Sequence, residues 1–172
     1  MYTITHTTSR SVFNFSFKKI LAIVITLTSL LLASCSNTTT GATGTAGNIT
    51  IKNAWVRAAL VAGSDGFISS GYMTIENKGN TPDALMSVSS ADAAAVEIHE
   101  SKSMDGMMSM APLPDGLEIP ANGSMTLTPG SNHLMIMQAK KESFTPGKTV
   151  KFLFKFKSGS ELALDVPVRE NK

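Results

Sequence analysis

Apolar and polar positions alternate over short stretches of the chain, and turn-forming residues separate those stretches. Ile49-Thr50-Ile51-Lys52 alternates and runs into Ala54-Trp55-Val56-Arg57. Gly71-Tyr72-Met73-Thr74-Ile75-Glu76 alternates before the turn Asn77-Lys78-Gly79-Asn80. Residues 84–88 and 95–99 supply two more segments, and residues 124–127 and 133–138 flank the turn Thr128-Pro129-Gly130-Ser131. Residues 150–156 and 162–168 close the series. No stretch sustains a 3.6-residue period, so regularly spaced short strands predict an all-β fold, a sandwich or a barrel.

Strand parity assigns faces, because successive side chains point to opposite sides. Val150, Phe152, Phe154 and Phe156 share a core face, with Lys151, Lys155 and Lys157 on the solvated side along with Leu153. Val96 and Ile98 point inward and His99 outward. Leu134 and Ile136 point inward, which leaves His133, Met135 and Met137 together on the opposite face. Methionine is an apolar gap-filler, so Met73 and Met86 are expected in the core. Trp55 is also expected there rather than beside a ligand. Arg57 is expected as an outward strand residue or an ion-pair partner.

The first 34 residues have a different character. Lys18-Lys19 precede an apolar run from Ile20 to Leu32, and small residues follow. This is the form of an export signal, and a thirteen-residue apolar-to-small run is short of the roughly 20 residues needed to cross a bilayer. The ending Leu32-Ala33-Ser34-Cys35 resembles a bacterial lipobox, which implies that Cys35 is the lipidated first residue of the mature protein. Residues 35–47, including SNTTTGATGTAG, read as a flexible Ser/Thr/Gly tether. Residues 48–168 read as one domain, with 169–172 as a short tail.

Removal of the signal changes the composition that matters. Overall the chain has 15 basic and 13 acidic residues, net +2. Arg10, Lys18 and Lys19 leave with the signal and no acidic residue does, so twelve basic residues face thirteen acidic ones, net −1. Nucleic-acid binding, which needs a basic face, is not expected. The single cysteine is Cys35, so the mature domain has neither a disulfide nor a thiolate metal ligand.

Seven of the ten methionines fall between Met104 and Met137, in a window beside or between His99 and His133, the two histidines outside the signal. Met104, Met107, Met108 and Met110 lie in a polar, Gly-containing connection where burial does not explain them, and exposed methionines in an exported protein are oxidisable. Thioethers are soft neutral donors that suit copper(I), and imidazole is the usual nitrogen ligand. His133 and Met135, two apart on one strand face, can meet one ion. His99 and Met110 would come from a neighbouring strand and the connection after it. Four neutral ligands leave the ion its single charge, which suits a shallow site.

The order His99, Met110, His133, Met135 resembles the H-x10-M-x21-H-x-M pattern of the PCu(A)C family of periplasmic copper chaperones. Further blocks resemble it as well: Ala54-Trp55-Val56-Arg57, residues 71–77, Val96-Glu97-Ile98-His99-Glu100, and Leu117-Glu118-Ile119-Pro120-Ala121 leading to residues 133–137. The likeness spans residues 48–168. It departs in one place, with twenty-two residues rather than twenty-one between Met110 and His133. The turn Leu113-Pro114-Asp115-Gly116 is the expected site of the insertion. The departure leaves Met108, then Met104, as alternatives to Met110, and Met137 as a further candidate ligand.

The resemblance implies a cupredoxin-like, Greek-key antiparallel β-sandwich that binds one copper(I) ion near its surface and is not an enzyme. It also implies delivery to the binuclear copper centre of a respiratory oxidase, with an oxidase subunit or another copper chaperone as partner. A copper-sequestering buffer with no dedicated acceptor is the alternative, and a metal-free structural lipoprotein a third. A blue-copper electron carrier needs a cysteine thiolate, a zinc site would draw on histidine, carboxylate or thiolate, and no hydrolase nucleophile elbow is present. The expected location is the periplasmic side of a bacterial membrane, the outer membrane in a Gram-negative cell. The expected attachment is through lipid alone, and the expected state is a monomer with an accessible delivery site.

Overall fold

The computed structural model describes residues 41–61, 66–104 and 107–170. The expected signal, the lipidation at Cys35 and the tether up to residue 40 lie outside the described residues. Twelve strands follow in order: β1 Ala42–Ala46, β2 Ile49–Arg57, β3 Leu60–Val61, β4 Phe67–Asn77, β5 Asp83–Ser89, β6 Ala95–Met104, β7 Met107–Pro112, β8 Leu117–Ile119, β9 Gly123–Leu127, β10 His133–Met137, β11 Thr149–Phe156 and β12 Glu161–Arg169. There is no helix among the described residues.

The strands run in the order β7-β6-β10-β4-β2-β12-β11-β5-β8, with β1 beside β2, and β3 and β9 beside β4. All pairings are antiparallel except β12 with β2, where Val168 and Arg169 run parallel to Val56 and Arg57. That junction separates a β7-β6-β10-β4-β2 layer from a β12-β11-β5-β8 layer. The inward side chains of both layers form one core, in which Ile51, Ile75, Leu134 and Ile136 of the first meet Leu85, Phe152, Phe154 and Val166 of the second. The fold is an all-β sandwich, one of the two architectures that the patterning predicts, and it has the cupredoxin-like form that the resemblance implies.

The parity reading holds in detail for β10 and β11. Leu134 and Ile136 are fully buried, as are Val150, Phe152 and Phe154, while Lys151 and Lys155 are exposed. Burying each such apolar side chain contributes about 1.5–3 kcal/mol, so a one-residue slip of β10 would be strongly disfavoured. This fixes His133, Met135 and Met137 on the outer face.

Four expectations change. The tether does not reach residue 47, because Ala42–Ala46 form β1 and pair with β2 from Ala42↔Ala54 to Ala46↔Ile49. Small residues suit this close approach: a Cβ on Gly41 would come within 2.6 Å of the Asn53 backbone. Met86 is not in the core, since it stands outward on β5 at 41% exposure while Leu85 takes the buried place. The Met107–Pro112 segment is not an irregular connection but a regular strand, the second arm of a hairpin with β6.

Trp55 is the fourth. Its core placement fails because β2 carries a bulge between Lys52 and Trp55, with Asn53 at φ 53°. The inward set switches there from Ile49 and Ile51 to Ala54 and Val56, all buried. A bulge shifts alternation by one residue, so Trp55 and Arg57 are turned to the outer face.

Candidate metal centre

Three strands at one end of the first layer carry the candidate ligands. β6 lies between β7 and β10, and the register places His99 directly opposite His133. The same register sets Met135 opposite Glu97, and on the other flank sets Met110 opposite Ser101 and Pro112 opposite His99. Residues 97, 99 and 101 share a face by parity, so the paired residues 135, 133 and 110 share it too. The two imidazoles stand as a central pair, with Met135 one step to one side and Met110 one step to the other.

The rank of the alternatives follows from this register. Met108 pairs with Ser103, one step further toward the hairpin tip than Met110, and Met137 pairs with Ala95, one step further than Met135. Steps along one face of a strand are about 7 Å, so Met110 and Met135 are the thioethers nearest the histidines. Met104 pairs with Met107 and is an odd number of positions from His99, off the parity that Met108 and Met110 keep.

The histidine rings are held differently. Their centroids are 5.8 Å apart and the planes are inclined at 59°. His133 Nδ1 lies 2.9 Å from the carbonyl oxygen of Ser131. A carbonyl can only accept, so Nδ1 carries the hydrogen and Nε2 presents a lone pair. His99 Nε2 lies 2.8 Å from Glu97 Oε2. It donates to that carboxylate, and in the neutral ring Nδ1 is left with a free lone pair. Such outer contacts fix the tautomer and raise the basicity of a metal-binding imidazole. Glu97 and Ser131 were not singled out from the sequence. Parity alone puts Glu97 beside His99, so that signal was available, whereas the Ser131 contact depends on the curl of the β9–β10 turn.

Burial grades across the site. His133 is 6% exposed and Met135 half-buried, while Met110 and Met108 on the outer strand are 63% and 60% exposed. One imidazole is thus set into the sheet and one thioether stands in solvent on an edge strand. Among the described residues no cluster of three or more His, Cys, Asp or Glu side chains is present. The candidate donors are two imidazole nitrogens and flanking sulfurs, a set that suits a soft cation.

Further along the same face, Tyr72 on β4 carries Trp55 of β2 against it, with ring centroids 4.7 Å apart. The Arg57 guanidinium lies 5.7 Å from the Tyr72 ring centre, and the Arg169 guanidinium 5.1 Å from that of Trp55.

Compared with known proteins, residues 49–168 match the LpqE-like lipoprotein family. Lxx21020 of Leifsonia xyli subsp. xyli, named as a lipoprotein, is 27% identical over 125 residues, 73% of this chain and 72% of that one. Among solved structures, the copper-bound PCuAC domain from PmoF2 superposes with a TM-score of 0.60 at 25% identity, covering 75% of this chain and 98% of that one. The copper(I) form of DR1885 from Deinococcus radiodurans gives 0.55 at 29% identity, covering 69% and 76% respectively.

Proposed function

The chain belongs to the LpqE-like lipoprotein family and has the fold of a PCuAC domain; from that premise we propose that it is an extracytoplasmic copper(I) chaperone. One copper(I) ion is its cargo, held by His99, Met110, His133 and Met135. The domain acts as a carrier and not as an enzyme. The observation that carries this reading is the directly opposed pair His99 and His133, each with one ring nitrogen committed to a protein acceptor and the other available. Copper in the PmoF2 and DR1885 structures supports the choice of metal.

Each residue has a distinct task. His133, buried and fixed by Ser131, supplies a preset nitrogen at Nε2. His99 supplies Nδ1 while Glu97 holds the far side of its ring. Met135 adds a half-buried sulfur from the same strand as His133. Met110 closes the set from the edge strand, where its exposure makes it the ligand an acceptor can replace first. That graded exposure favours hand-over above permanent storage. The acceptor we infer is the binuclear copper centre of a respiratory oxidase. The chain would be attached through lipidated Cys35 on the periplasmic side of a bacterial membrane.

Titration of the full chain with copper(I) against a chromophoric competitor tests the reading. One equivalent should bind tightly, and both His99→Ala and Met135→Ala should weaken it. Release of the ion to an apo oxidase domain should follow on mixing. Failure to compete for copper(I), or indifference to both substitutions, would overturn the copper site. Tight binding with no release would leave a copper buffer.

A further inference from the structure

The bulge that turns Trp55 outward also builds a groove at the junction of β2 and β12. It encloses about 800 Å³, and its walls include Trp55, Arg57, Pro129, Pro146, Arg169 and Glu170. None of these residues has a task in the copper site. We propose that this groove docks an acidic, extended segment of the copper-accepting protein, with Arg57 as the principal carboxylate contact. The identity of the occupant as a copper acceptor rests on the copper reading, whereas the carboxylate chemistry of the groove does not.

Four observations converge on that occupant. Arg57 is half-buried on the Tyr72 ring, and its Nε is buried with no hydrogen-bond partner among the described residues. The guanidinium is therefore partly desolvated and already oriented, so pairing it with an anion costs less reorganisation than pairing a free side chain. A guanidinium fork matches a carboxylate in a bidentate contact. Trp55, packed on Tyr72 behind it, and the two prolines form flat apolar walls suited to an extended peptide. Arg169 lines the same groove beside Glu170, so the lining sets two guanidiniums against one carboxylate, a balance that favours an acidic occupant.

The position suits a transfer partner. Pro129 belongs to the same turn as Ser131, whose carbonyl holds His133. Tyr72 is on β4, the strand next to β10, where Gly71 pairs with Leu134, the neighbour of His133. A segment lying in the groove would thus be set beside the buried imidazole, at the opposite side of the site from the Met110 hairpin.

Trp55 is the sole tryptophan, so its emission reports directly on the groove. The full chain is titrated with a capped hexaglutamate peptide, and separately with hexaglutamine, inorganic phosphate and phosphatidylglycerol vesicles. Hexaglutamate should give a saturable change in Trp55 emission, and Arg57→Gln should weaken it by at least about tenfold. Copper(I) affinity of Arg57→Gln should be unchanged, which also certifies its fold. His99→Ala should bind the peptide normally, so loss of copper binding and loss of groove binding are read apart. Equal response to hexaglutamine, or no effect of Arg57→Gln, would overturn the carboxylate contact. A response to vesicles or phosphate alone would overturn the peptide and reassign the groove to a membrane surface or to free anions.

Discussion

The β10 side of the candidate site and the β6–β7 hairpin arm differ in almost every physical respect. On β10, His133 is buried with its Nδ1 on the Ser131 carbonyl, and the strand is anchored by two fully buried residues. On β7, all six residues are exposed, and the strand is the outermost of its sheet with β6 as its neighbour. Backbone at a sheet edge with few buried contacts opens at low free-energy cost. The proposed carrier role draws on both properties. A rigid half keeps affinity high, because its ligands lose little entropy on binding. A loosely held half lets an incoming ligand displace one donor without unfolding the sheet.

Substitutions can break that contrast or sharpen it. The largest effect is expected at His133: His133→Ala should weaken copper(I) binding by more than about 100-fold, beyond the range of an outer contact. Met110→Leu, by competition titration under the same conditions, should cost about tenfold, ~1.4 kcal/mol, and act mainly on the rate of release. If the two variants lose equal affinity, the division into a fixed and an exchangeable half fails. Next comes Glu97→Gln, which keeps the shape but removes the charge behind His99. It should weaken binding by roughly 10-fold, with the melting temperature of the metal-free protein unmoved. A large loss of stability instead would make Glu97 a structural residue.

The smallest effect on the site is expected from the far layer. Burial of Asp83 by itself raises its pKa, but hydrogen bonds from the Ser158 hydroxyl and the Ala84 and Ser158 amides, with the Lys157 charge, outweigh it and hold the carboxyl below its usual range. A depressed folded-state pKa means that this stabilisation is present above the unfolded value, near 4, and is lost as pH falls through the lower folded value. Asp83→Asn should therefore cost about 1–2 kcal/mol at neutral pH and flatten the acid limb of the stability curve. Copper(I) affinity at neutral pH should be unchanged, and a parallel loss would show that the two layers are coupled.

Much of the site was legible in the sequence because of where β10 is anchored. The pattern His133-Leu134-Met135-Ile136-Met137 contains its own register, with two apolar residues that must be inside and three donors that must then be outside. The methionine cluster was legible as chemistry for the same reason, since polar surroundings left burial unable to explain it. The MMSMAP segment was not legible as a strand. All six of its positions are exposed, so it has no apolar alternation to display, and its β-structure comes from hydrogen bonding to β6. Trp55 is expected in the core as the sole, large apolar aromatic, and it stands outside because one residue at positive φ, Asn53, reverses the faces that follow it on β2.

By itself, then, the sequence determined the fold class, the core faces of β10 and β11, and the soft-donor character of the site, because local periodicity and side-chain chemistry suffice for those. Only the tertiary structure decided that His99 meets His133, which nitrogen each presents, that Met110 stands nearer than Met108, and that Trp55 faces a groove. Those depend on register between strands far apart in the chain and on one bulge. Inter-strand register is set by the summed packing of the whole sheet, and no short stretch of sequence contains it.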